Sequence, residues 1–491
     1  MEKEKNLRHR THLVASKEGN NDLDEPPKVG LTTRMTSLRR LVTGQTVLFK
    51  FPILALVAVA SLDNADKQLL ASSFPMLEKT LGLDVRTLGY FSLFTNLSYA
   101  LSLPFWGYMV HSYGMQRIHI LLSTACISWG LATAGIAMFG KSVIGQAMFR
   151  ALNGMALGSI LPLSQTLLVE MVDVSMRGRA FGFMSLCEKL SGTLAAASIV
   201  YLDPNWEYPY WGLGVGSIVM GYVCNITLHP SMRGAGLKQT SSEDEKLELT
   251  LRQIIQRIVQ LPAFLCMVVQ GVFGGTPWDM MSFLLLLMDW RGFTKKQIVT
   301  IQFTSGLTST VGGWLGGILG DYASQRFEGT RGRVLLAFVS VIGGIPLYGL
   351  FLNATEYYSA LLWLNAFQLW GTWTPTGACR PICADLTRNA SERAQIIALW
   401  IVLEKASGAI FGAPLVGYLT SSMLSSKDDQ QRADGGTKEK AQALAWNIFF
   451  LSSLFWSICA FFWVLMSFTI PKNRQKHRST KESDFELNPL V

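Results

Sequence analysis

Charged residues are scarce in this sequence. Asp, Glu, Lys and Arg make up 16% of its 491 residues, whereas an ordinary soluble protein carries about 25%. A soluble chain of this length would place more charge on its surface, so a simple globular protein and a disordered protein are both poor interpretations. Hydrophobic residues make up 49% of the chain, which is enough for about twelve membrane-spanning helices of ~20 residues each.

Paired cysteines and clustered histidines are also lacking. The seven cysteines lie inside apolar stretches, so we expect small buried hydrophobic side chains rather than disulfide bonds. The six histidines lie at the termini or at the ends of apolar runs, which argues against a buried histidine proton relay. The sequence shows no clustered nucleophile, base or metal ligands and no phosphate-binding loop of the Walker type. We therefore predict no enzyme, no metal, no cofactor and no use of ATP.

Long apolar runs, by contrast, are abundant and fall into two groups of six. They lie at roughly 48–71, 88–109, 118–139, 143–170, 178–201 and 210–228, and then at 262–288, 297–319, 333–352, 358–384, 393–421 and 444–468. The predicted fold class is an all-α integral membrane protein with twelve transmembrane helices, numbered here as spans 1 to 12. The predicted divisions are a cytoplasmic basic tail at 1–47, an N-terminal six-helix bundle at 48–228, a cytoplasmic linker at 229–261, a C-terminal six-helix bundle at 262–468 and a cytoplasmic tail at 469–491.

The linker and the loops predict how the chain lies in the membrane. Apolar residues three or four apart in the linker predict an amphipathic helix on the membrane surface, namely Leu247, Leu251, Ile254, Ile258 and Leu261. If both termini are cytoplasmic, 28 Lys and Arg lie in the cytoplasmic segments or at the cytoplasmic ends of the spans, and the opposite side carries 10. This bias favours both ends inside. It also explains the formal net charge of +9 without nucleic-acid binding, against which the apolar runs argue.

The two halves of the chain repeat short patterns. Span 5 contains EKLSG at 188–192 and span 11 contains EKASG at 404–408, an offset of 216 residues. Gly158-x-x-x-Pro162 in span 4 matches Gly377-x-x-x-Pro381 in span 10 at an offset of 219, and the turns after spans 2 and 8 match at an offset of 210. Three matches in one order indicate two parallel six-helix repeats.

These motifs together resemble those of the major facilitator superfamily over nearly all of 48–470. The second copy of the family's loop motif is well kept, with Gly317, Asp321, Arg326, Arg331 and Arg333. The first copy keeps Gly107, Gly114 and Arg117 but has His111 at the Asp position. Arg150-x-x-x-Gly154 in span 4 and RGR at 177–179 also fit the family. The resemblance implies alternating access, with cytoplasmic gating residues Gly107, Asp321, Arg177, Arg179, Arg331 and Arg333.

Within that superfamily the sequence looks spinster-like. The acidic centre of span 1, Leu62-Asp63-Asn64, lies where that group has an Asp-Arg pair, and the basic turn after Asp321 is similar. The opening of span 7, with Gly271, Gly274 and Pro277-Trp278, also fits. Two positions depart from the pattern, because Asn64 replaces the expected Arg and Leu157 replaces an acidic residue in span 4. The resemblance implies a lysophospholipid or a sphingoid phosphate as substrate.

Charges inside the spans are the best candidates for a substrate or coupling site, because charge at membrane depth is costly and usually functional. Asp63 and Asp66 in span 1 are three residues apart and share a helix face, with Lys67 following on the same side. This face suits proton or cation coupling. The alternative is that Asp66 and Lys67 only mark the outer end of span 1.

Two arginines and one further acid extend this set. Arg150 in span 4 and Arg380 in span 10 are lone guanidinium groups, each of which needs an acidic partner or an anionic ligand. Asp279 in span 7 follows Pro277, which can bend the helix there. Static ion pairs between neighbouring spans are the alternative for both arginines.

The repeated Glu-Lys pairs are expected near the middle of the membrane. Adjacent side chains on a helix do not face each other, so Glu188 and Lys189 need partners on another span or a wet cavity. The same holds for Glu404 and Lys405, which we favour as lining the central site. The alternative is a pair of static ion bridges.

The function predicted is secondary-active transport of a lysolipid or sphingoid-phosphate-like amphiphile. The alternatives are transport of a small organic anion, or a non-transporting receptor or sensor with the same fold. We expect membrane lipids and the substrate as partners, proton or cation coupling, and a monomer. The C-terminal ELNPLV resembles an acidic dileucine sorting signal, so an endolysosomal membrane and the plasma membrane are the two locations considered.

Overall fold

Helices make up nearly all of the structure. The computed structural model describes residues 51–113, 117–172, 177–234, 262–327, 329–386, 390–425 and 429–487, and none of these residues lies in a β-strand. All of these helices belong to one compact unit, Lys50–Val491. The predicted tail at 1–47 and the predicted amphipathic linker helix lie outside the described residues.

The first half of the structure contains seven helices at the positions of spans 1 to 6. They are α1 (Phe51–Leu81), α2 (Val85–Tyr113), α3 (Ile118–Met138), α4 (Val143–Leu157), α5 (Ile160–Met171), α6 (Arg177–Tyr201) and α7 (Glu207–Gly234). Span 4 is divided into α4 and α5 at Gly158 and Ser159. Pro162 follows four residues after Gly158, and because proline has no N–H, the regular hydrogen bond to the Gly158 carbonyl cannot form.

The second half contains nine α-helices and two short irregular turns at the positions of spans 7 to 12. The helices are α8 (Pro262–Met280), α9 (Leu284–Trp290), α10 (Lys295–Arg326), α11 (Thr330–Asn353), α12 (Tyr357–Gly371), α13 (Arg380–Leu386), α14 (Ala390–Phe411), α15 (Ala413–Ser425) and α16 (Asp429–Leu487). A 3-10 turn at Met281–Phe283 joins α8 to α9. A π-helical turn at Pro375–Cys379 precedes α13. The backbone of α16 is non-helical at Gly436.

Seven helical stretches among the described residues are long and apolar enough to cross a membrane. They are Ile118–Met138, Arg179–Tyr201, Glu207–Leu228, Pro262–Trp290, Thr330–Asn353, Leu399–Ser425 and Gly436–Ile470. Helix α1 is not among them, and it carries Asp63, Asp66 and Lys67 in its middle. The helices therefore agree in position with the twelve predicted spans, while hydropathy and length alone support seven.

A row of glycines brings α10 against the chain of span 10. Gly312, Gly316 and Gly320 are four residues apart on one face of α10. A Cβ atom on Gly316 would lie 2.5 Å from the Trp373 Cα, and one on Gly320 would lie 2.7 Å from the Gly377 Cα. Only glycine permits such a close backbone approach, which is typical of helix packing in lipid. We call Gly312, Gly316 and Gly320 the glycine seam.

The largest buried apolar cluster joins the two halves at the end of the molecule where α1 passes into α2. Phe74 of α1 contacts Phe283 with ring centroids 5.2 Å apart. The run Leu284–Met288 in α9 is buried in the same cluster. This end of the molecule is therefore closed by apolar packing between the halves, and we call it the α1–α2 end.

Candidate functional site

Asp66 is the most completely enclosed acid of the first half. Its side chain is buried, and its carboxylate accepts hydrogen bonds from Trp129 Nε1 at 2.8 Å and Thr133 Oγ1 at 2.7 Å. Asn153 Nδ2 donates to the same carboxylate at 3.2 Å. Helices α3 and α4 supply these neutral donors, so Asp66 is held by dipoles rather than by a paired cation.

Arg150 is buried beside this acid, with only 1% of its surface exposed. Its Nε donates to Gln146 Oε1 at 3.0 Å and its Nη1 donates to the Tyr210 hydroxyl at 3.4 Å. Its guanidinium lies over the rings of Phe91 and Tyr210, at 5.1 Å and 5.6 Å from their centroids. Its Nη2 has no hydrogen-bond partner, and no carboxylate among the described residues pairs with it.

A cavity of about 40 Å³ lies between these two groups. Asp66, Lys67, Arg150, Asn153 and Tyr210 are among the residues that line it. A single water needs about 10–15 Å³ of such space. The cavity can therefore hold a few waters or the oxygens of one acid group, and it joins a buried cation to a buried carboxylate.

The remaining charges of α1 have other partners. Lys67 Nζ lies 2.7 Å from Asp63 Oδ2 and 4.9 Å from the centroid of the Tyr99 ring. The two acids predicted to share one functional face therefore divide their roles, because Asp63 pairs within α1 while Asp66 turns to α3 and α4. Helical spacing alone could not show this, since the donors to Asp66 come from distant parts of the chain.

Helices α1 and α6 pack through a polar side chain over a glycine. Asn64 Nδ2 donates to the Glu188 carbonyl at 2.5 Å, and a Cβ on Gly192 would lie 2.5 Å from that same nitrogen. Ser191 Oγ donates to the Ser61 carbonyl at 2.6 Å. The Glu188 carboxylate interacts electrostatically with charged groups of α1, whereas the side chain of Lys189 is exposed. Among the described residues, the Glu188–Lys189 pair thus contributes mainly Glu188 to the interior.

Helices α8 and α14 pack in the same manner, with acids in place of the amide. The Glu404 side chain lies over Gly275, where a Cβ would be 2.8 Å from Glu404 Cδ. The Asp279 side chain lies over Gly408, where a Cβ would be 2.9 Å from Asp279 Cγ. Each helix therefore places one carboxylate on a glycine of the other.

Lys405 connects this acidic pair with the first half. It is attracted electrostatically by Asp279 and Glu404 in its own half and repelled by Lys67 across the molecule. Because Lys67 also pairs with Asp63, the central charges of both halves form one electrostatic network. The sequence predicted the members of this network but not their arrangement.

Arg380 and the predicted gating residues lie away from this network. The Arg380 side chain is exposed at the start of α13. Arg333 Nη2 lies 2.6 Å from Asp321 Oδ1, and Arg333 Nη1 donates to the Gly377 carbonyl at 2.9 Å. All of these contacts lie within the second half, so a gate formed by Asp321 and Arg333 stays a prediction.

The roles of the other predicted gating residues also stay predictions. Arg179 and Arg331 have exposed side chains, and both take part in interactions. A Cβ on Gly107 would meet open space. The side chain of Arg177 lies outside the described residues.

Sequence reasoning missed a set of contacts that join the halves at the α1–α2 end. Glu78 Oε2 accepts a hydrogen bond of 2.6 Å from Trp290 Nε1, and Lys79 Nζ lies 2.9 Å from Asp289 Oδ1. Lys440 Nζ lies 3.6 Å from Glu78 Oε1. We call these five residues the α1–α2 latch. Charges at the ends of spans 1, 7 and 12 were the available signal, but their pairing depends on the fold.

Asp84 adds a further contact in the loop beside the latch. Its carboxylate accepts hydrogen bonds from the Thr87 backbone N–H at 2.9 Å and from Ser421 Oγ at 3.1 Å. Burial alone raises the pKa of Asp84, but hydrogen bonds from Thr87 and Ser421 outweigh this effect and hold the pKa below its usual value. The ionised form of Asp84 is therefore the form that stabilises this end.

Comparison with known proteins identifies the fold. A family model described as Major Facilitator Superfamily matches residues 56–374. The chain is 23% identical over 299 residues to a probable sulfoacetate transporter of Cupriavidus necator, covering 57% of this chain and 67% of that protein.

Solved structures show the same architecture. A bacterial homolog of the human lysosomal transporter Spinster, in an inward-facing and unoccupied conformation, superimposes with a TM-score of 0.72 at 16% identity, covering 86% of this chain and 98% of the other. The nucleoside transporter NupG, as its D323A mutant, superimposes with a TM-score of 0.64 at 10% identity, covering 84% and 99%. At these identities the similarity concerns the fold.

Proposed function

Because the chain belongs to the major facilitator superfamily, we propose that it is a secondary transporter with twelve spans in two six-helix repeats that alternate access to a central site. The repeated polar contacts support the two-repeat arrangement, since Asn64 over Gly192 in the first half corresponds to Asp279 over Gly408 in the second. The proposed bundles are 48–228 and 262–468. The family indicates a transporter rather than an enzyme.

The substrate class that the site supports best is an organic anion. The observation that carries this proposal is the buried Arg150 guanidinium, whose Nη2 has no partner and which lines a cavity of about 40 Å³. A buried donor left without a partner is costly, and an acid oxygen of a ligand would satisfy it. Arg150 is the proposed contact for the anionic group, and Arg380, exposed in the second half, is the proposed second contact.

A small organic anion is the better supported of the two anionic classes. The cavity beside Arg150 is lined by polar groups, including Asn96, Asn153 and Tyr210, and the relative from Cupriavidus necator is a probable sulfoacetate transporter. A lysolipid or sphingoid phosphate carries the same kind of head group and is favoured by the fold shared with the Spinster homolog. The two classes share the anionic group and differ in the apolar tail.

The coupling groups proposed are the acids of the central network. Asp66 lies on the same cavity as Arg150, so protonation of Asp66 would change the field that an anion meets there. Asp279 and Glu404 lie between α8 and α14 and share Lys405. Uptake or loss of a proton on these acids is the proposed link between the gradient and the movement of the halves.

Both termini are proposed to be cytoplasmic, as the distribution of Lys and Arg favours. The α1–α2 end would then face outward, and the latch of Glu78, Lys79, Asp289, Trp290 and Lys440 would close the outer side. Epitope tags at each terminus, probed with and without permeabilisation, test this topology. Detection of either tag from outside intact cells would overturn it.

Flux in liposomes tests the function itself. The purified full-length protein is reconstituted, and uptake of labelled sulfoacetate, other small organic anions and lysolipids is compared under an imposed proton gradient. We expect saturable uptake of a small anion that is reduced in Arg150→Lys. Uptake of lysolipids alone would reverse the preferred substrate class, and ligand binding without flux of any compound would favour the receptor or sensor.

A further inference from the structure

The π-helical turn at Pro375–Cys379, which we call the bend of span 10, leaves one backbone carbonyl without its regular partner. The segment passes from α12 through the π-helical turn Pro375–Cys379 into α13. Four residues after Gly377 stands Pro381, which has no N–H to donate to the Gly377 carbonyl. Gly377 is buried between α10 and α11, and a Cβ on it would lie 2.8 Å from a methyl carbon of Leu336. That carbonyl therefore needs another donor.

Arg333, near the beginning of α11, supplies this donor. Its Nη1 donates to the Gly377 carbonyl at 2.9 Å, while its Nη2 pairs with Asp321 Oδ1 at 2.6 Å. The planar guanidinium makes both contacts at once, which a single-headed cation does less well. One side chain thereby joins the end of α10, the beginning of α11 and the bend of span 10.

The bend lies directly before Arg380. The Arg380 N–H donates to the Pro375 carbonyl and closes the π-helical turn. Within the same stretch, the Trp373 Nε1 and the Thr374 Oγ1 are buried without hydrogen-bond partners. Such unsatisfied groups are uncommon in buried positions, and π-helical turns occur often at functional sites. The stretch before Arg380 is therefore irregular, and its backbone depends on a hydrogen bond from outside its own helix.

We propose that Arg333 is a positioning residue that holds the bend of span 10 through the Gly377 carbonyl and so sets the place of Arg380. The Asp321–Arg333 pair then links α10 and α11 to the proposed anion-contacting arginine of the second half. This inference rests on the proposed function only where it gives Arg380 a role with an anion.

The test measures the position of residue 380 rather than transport. Arg380→Cys is introduced into the full-length protein in liposomes, and its reaction rate with a charged, membrane-impermeant thiosulfonate is measured with and without Arg333→Gln. We expect Arg333→Gln to change the rate by about threefold to tenfold, as one net hydrogen bond would. Arg326→Gln, which removes a charge from the last turn of α10, is the matched control and should leave the rate unchanged. The rate of the protein without the added cysteine is subtracted, because Cys187 is only half-buried.

A second substitution separates a positioning role from a general loss of structure. In Pro381→Ala the new backbone N–H becomes available to the freed carbonyl, so adding Pro381→Ala to Arg333→Gln should return the labelling rate toward that of the single Arg380→Cys protein. An unchanged rate in Arg333→Gln, or no recovery in the double variant, would overturn the proposal. If Arg333→Gln does not accumulate, Arg333→Lys keeps the charge, loses the fork and carries the same test.

Because labelling needs no substrate, its outcome is independent of the flux experiment. A positive labelling result without uptake of any anion would retain the positioning role and remove the transport role. Uptake of sulfoacetate with unchanged labelling would support the transport role and remove the positioning role.

Discussion

The contact between α1 and α6 and the contact between α8 and α14 have the same design with different chemistry. In the first, Asn64 lies over Gly192 and donates to the Glu188 carbonyl at 2.5 Å. In the second, Asp279 lies over Gly408. One half therefore uses a neutral amide where the other uses a carboxylate.

Because of this difference, we expect the two contacts to respond differently to pH. An amide keeps its hydrogen bonds at any physiological pH, whereas a carboxylate changes its charge and its donors when it binds a proton. Lys405 interacts electrostatically with Asp279 in the second half. We therefore expect the α1–α6 contact to be static and the α8–α14 contact to respond to protons.

The largest expected effect contrasts the two arginines. Arg150→Lys keeps the charge but removes the planar fork that reaches Gln146 and Tyr210. We expect flux to fall by about tenfold to a hundredfold, the range for about 1.5–3 kcal/mol of charge-assisted hydrogen bonding. Arg380→Lys, at an exposed position, should have a smaller effect. Uptake rates at equal protein density measure both, and equal losses would contradict the greater importance of the buried arginine.

The next effect concerns the glycines beneath the polar side chains. A methyl group on Gly408 would lie 2.9 Å from Asp279 Cγ, whereas on Gly192 the Asn64 Cγ would be 3.5 Å away. Overpacking of this kind costs about 1–3 kcal/mol. We expect Gly408→Ala to lower the thermal midpoint in detergent more than Gly192→Ala does. The opposite order would show that the amide contact is the more rigid one.

Exchanging the two polar groups tests the proposed difference directly. Asp279→Asn gives the second half the chemistry of the first, and we expect it to weaken the pH dependence of flux and to change the rate by about fivefold, the lower end of typical coupling effects. Glu404→Gln should alter the pH profile in the same direction, because it removes the second acid near Lys405. Glu188→Gln is the matched variant in the first half. A profile that changes more with Glu188→Gln than with Glu404→Gln would place proton coupling in the first half.

The smallest effect is expected at the α1–α2 latch. The Lys79–Asp289 pair is partly exposed, with 51% of the Lys79 side chain accessible, and such pairs contribute about 0.2–1 kcal/mol. Lys79→Ala should increase labelling of a cysteine placed at the outer end by less than about fivefold, and added salt should reduce the difference. An effect as large as that of Arg150→Lys would mean that the latch, and not the central site, controls the cycle.

The sequence predicted those features of the fold that depend on a single helical segment. Apolar runs located the helices, and repeated motifs indicated two related halves, because both depend on local composition. Charges in apolar surroundings drew attention to Asp66 and Arg150, and the structure buries both side chains. These properties can be predicted from the sequence because buried segments are enriched in apolar residues.

Partners between helices could not be read in this way. The donors to Asp66 are Trp129, Thr133 and Asn153, which lie 63 to 87 residues away along the chain. Each is ordinary in its own helix and gains a role only through packing. The Gly377 carbonyl is a similar case. Pro381 in the sequence indicates that this carbonyl lacks its helical donor, but only the fold shows that Arg333 supplies another one.

The glycine seam has a practical consequence for measuring conformational change in this protein. Backbone atoms in contact at Gly316 and Gly320 leave no room for sliding, so α10 and the adjoining stretch of span 10 behave as one mechanical part. Spin labels on these two segments will keep a constant separation through every conformation and provide an internal ruler. Labels on α6 and α10, by comparison, will report the opening of the molecule on that fixed scale.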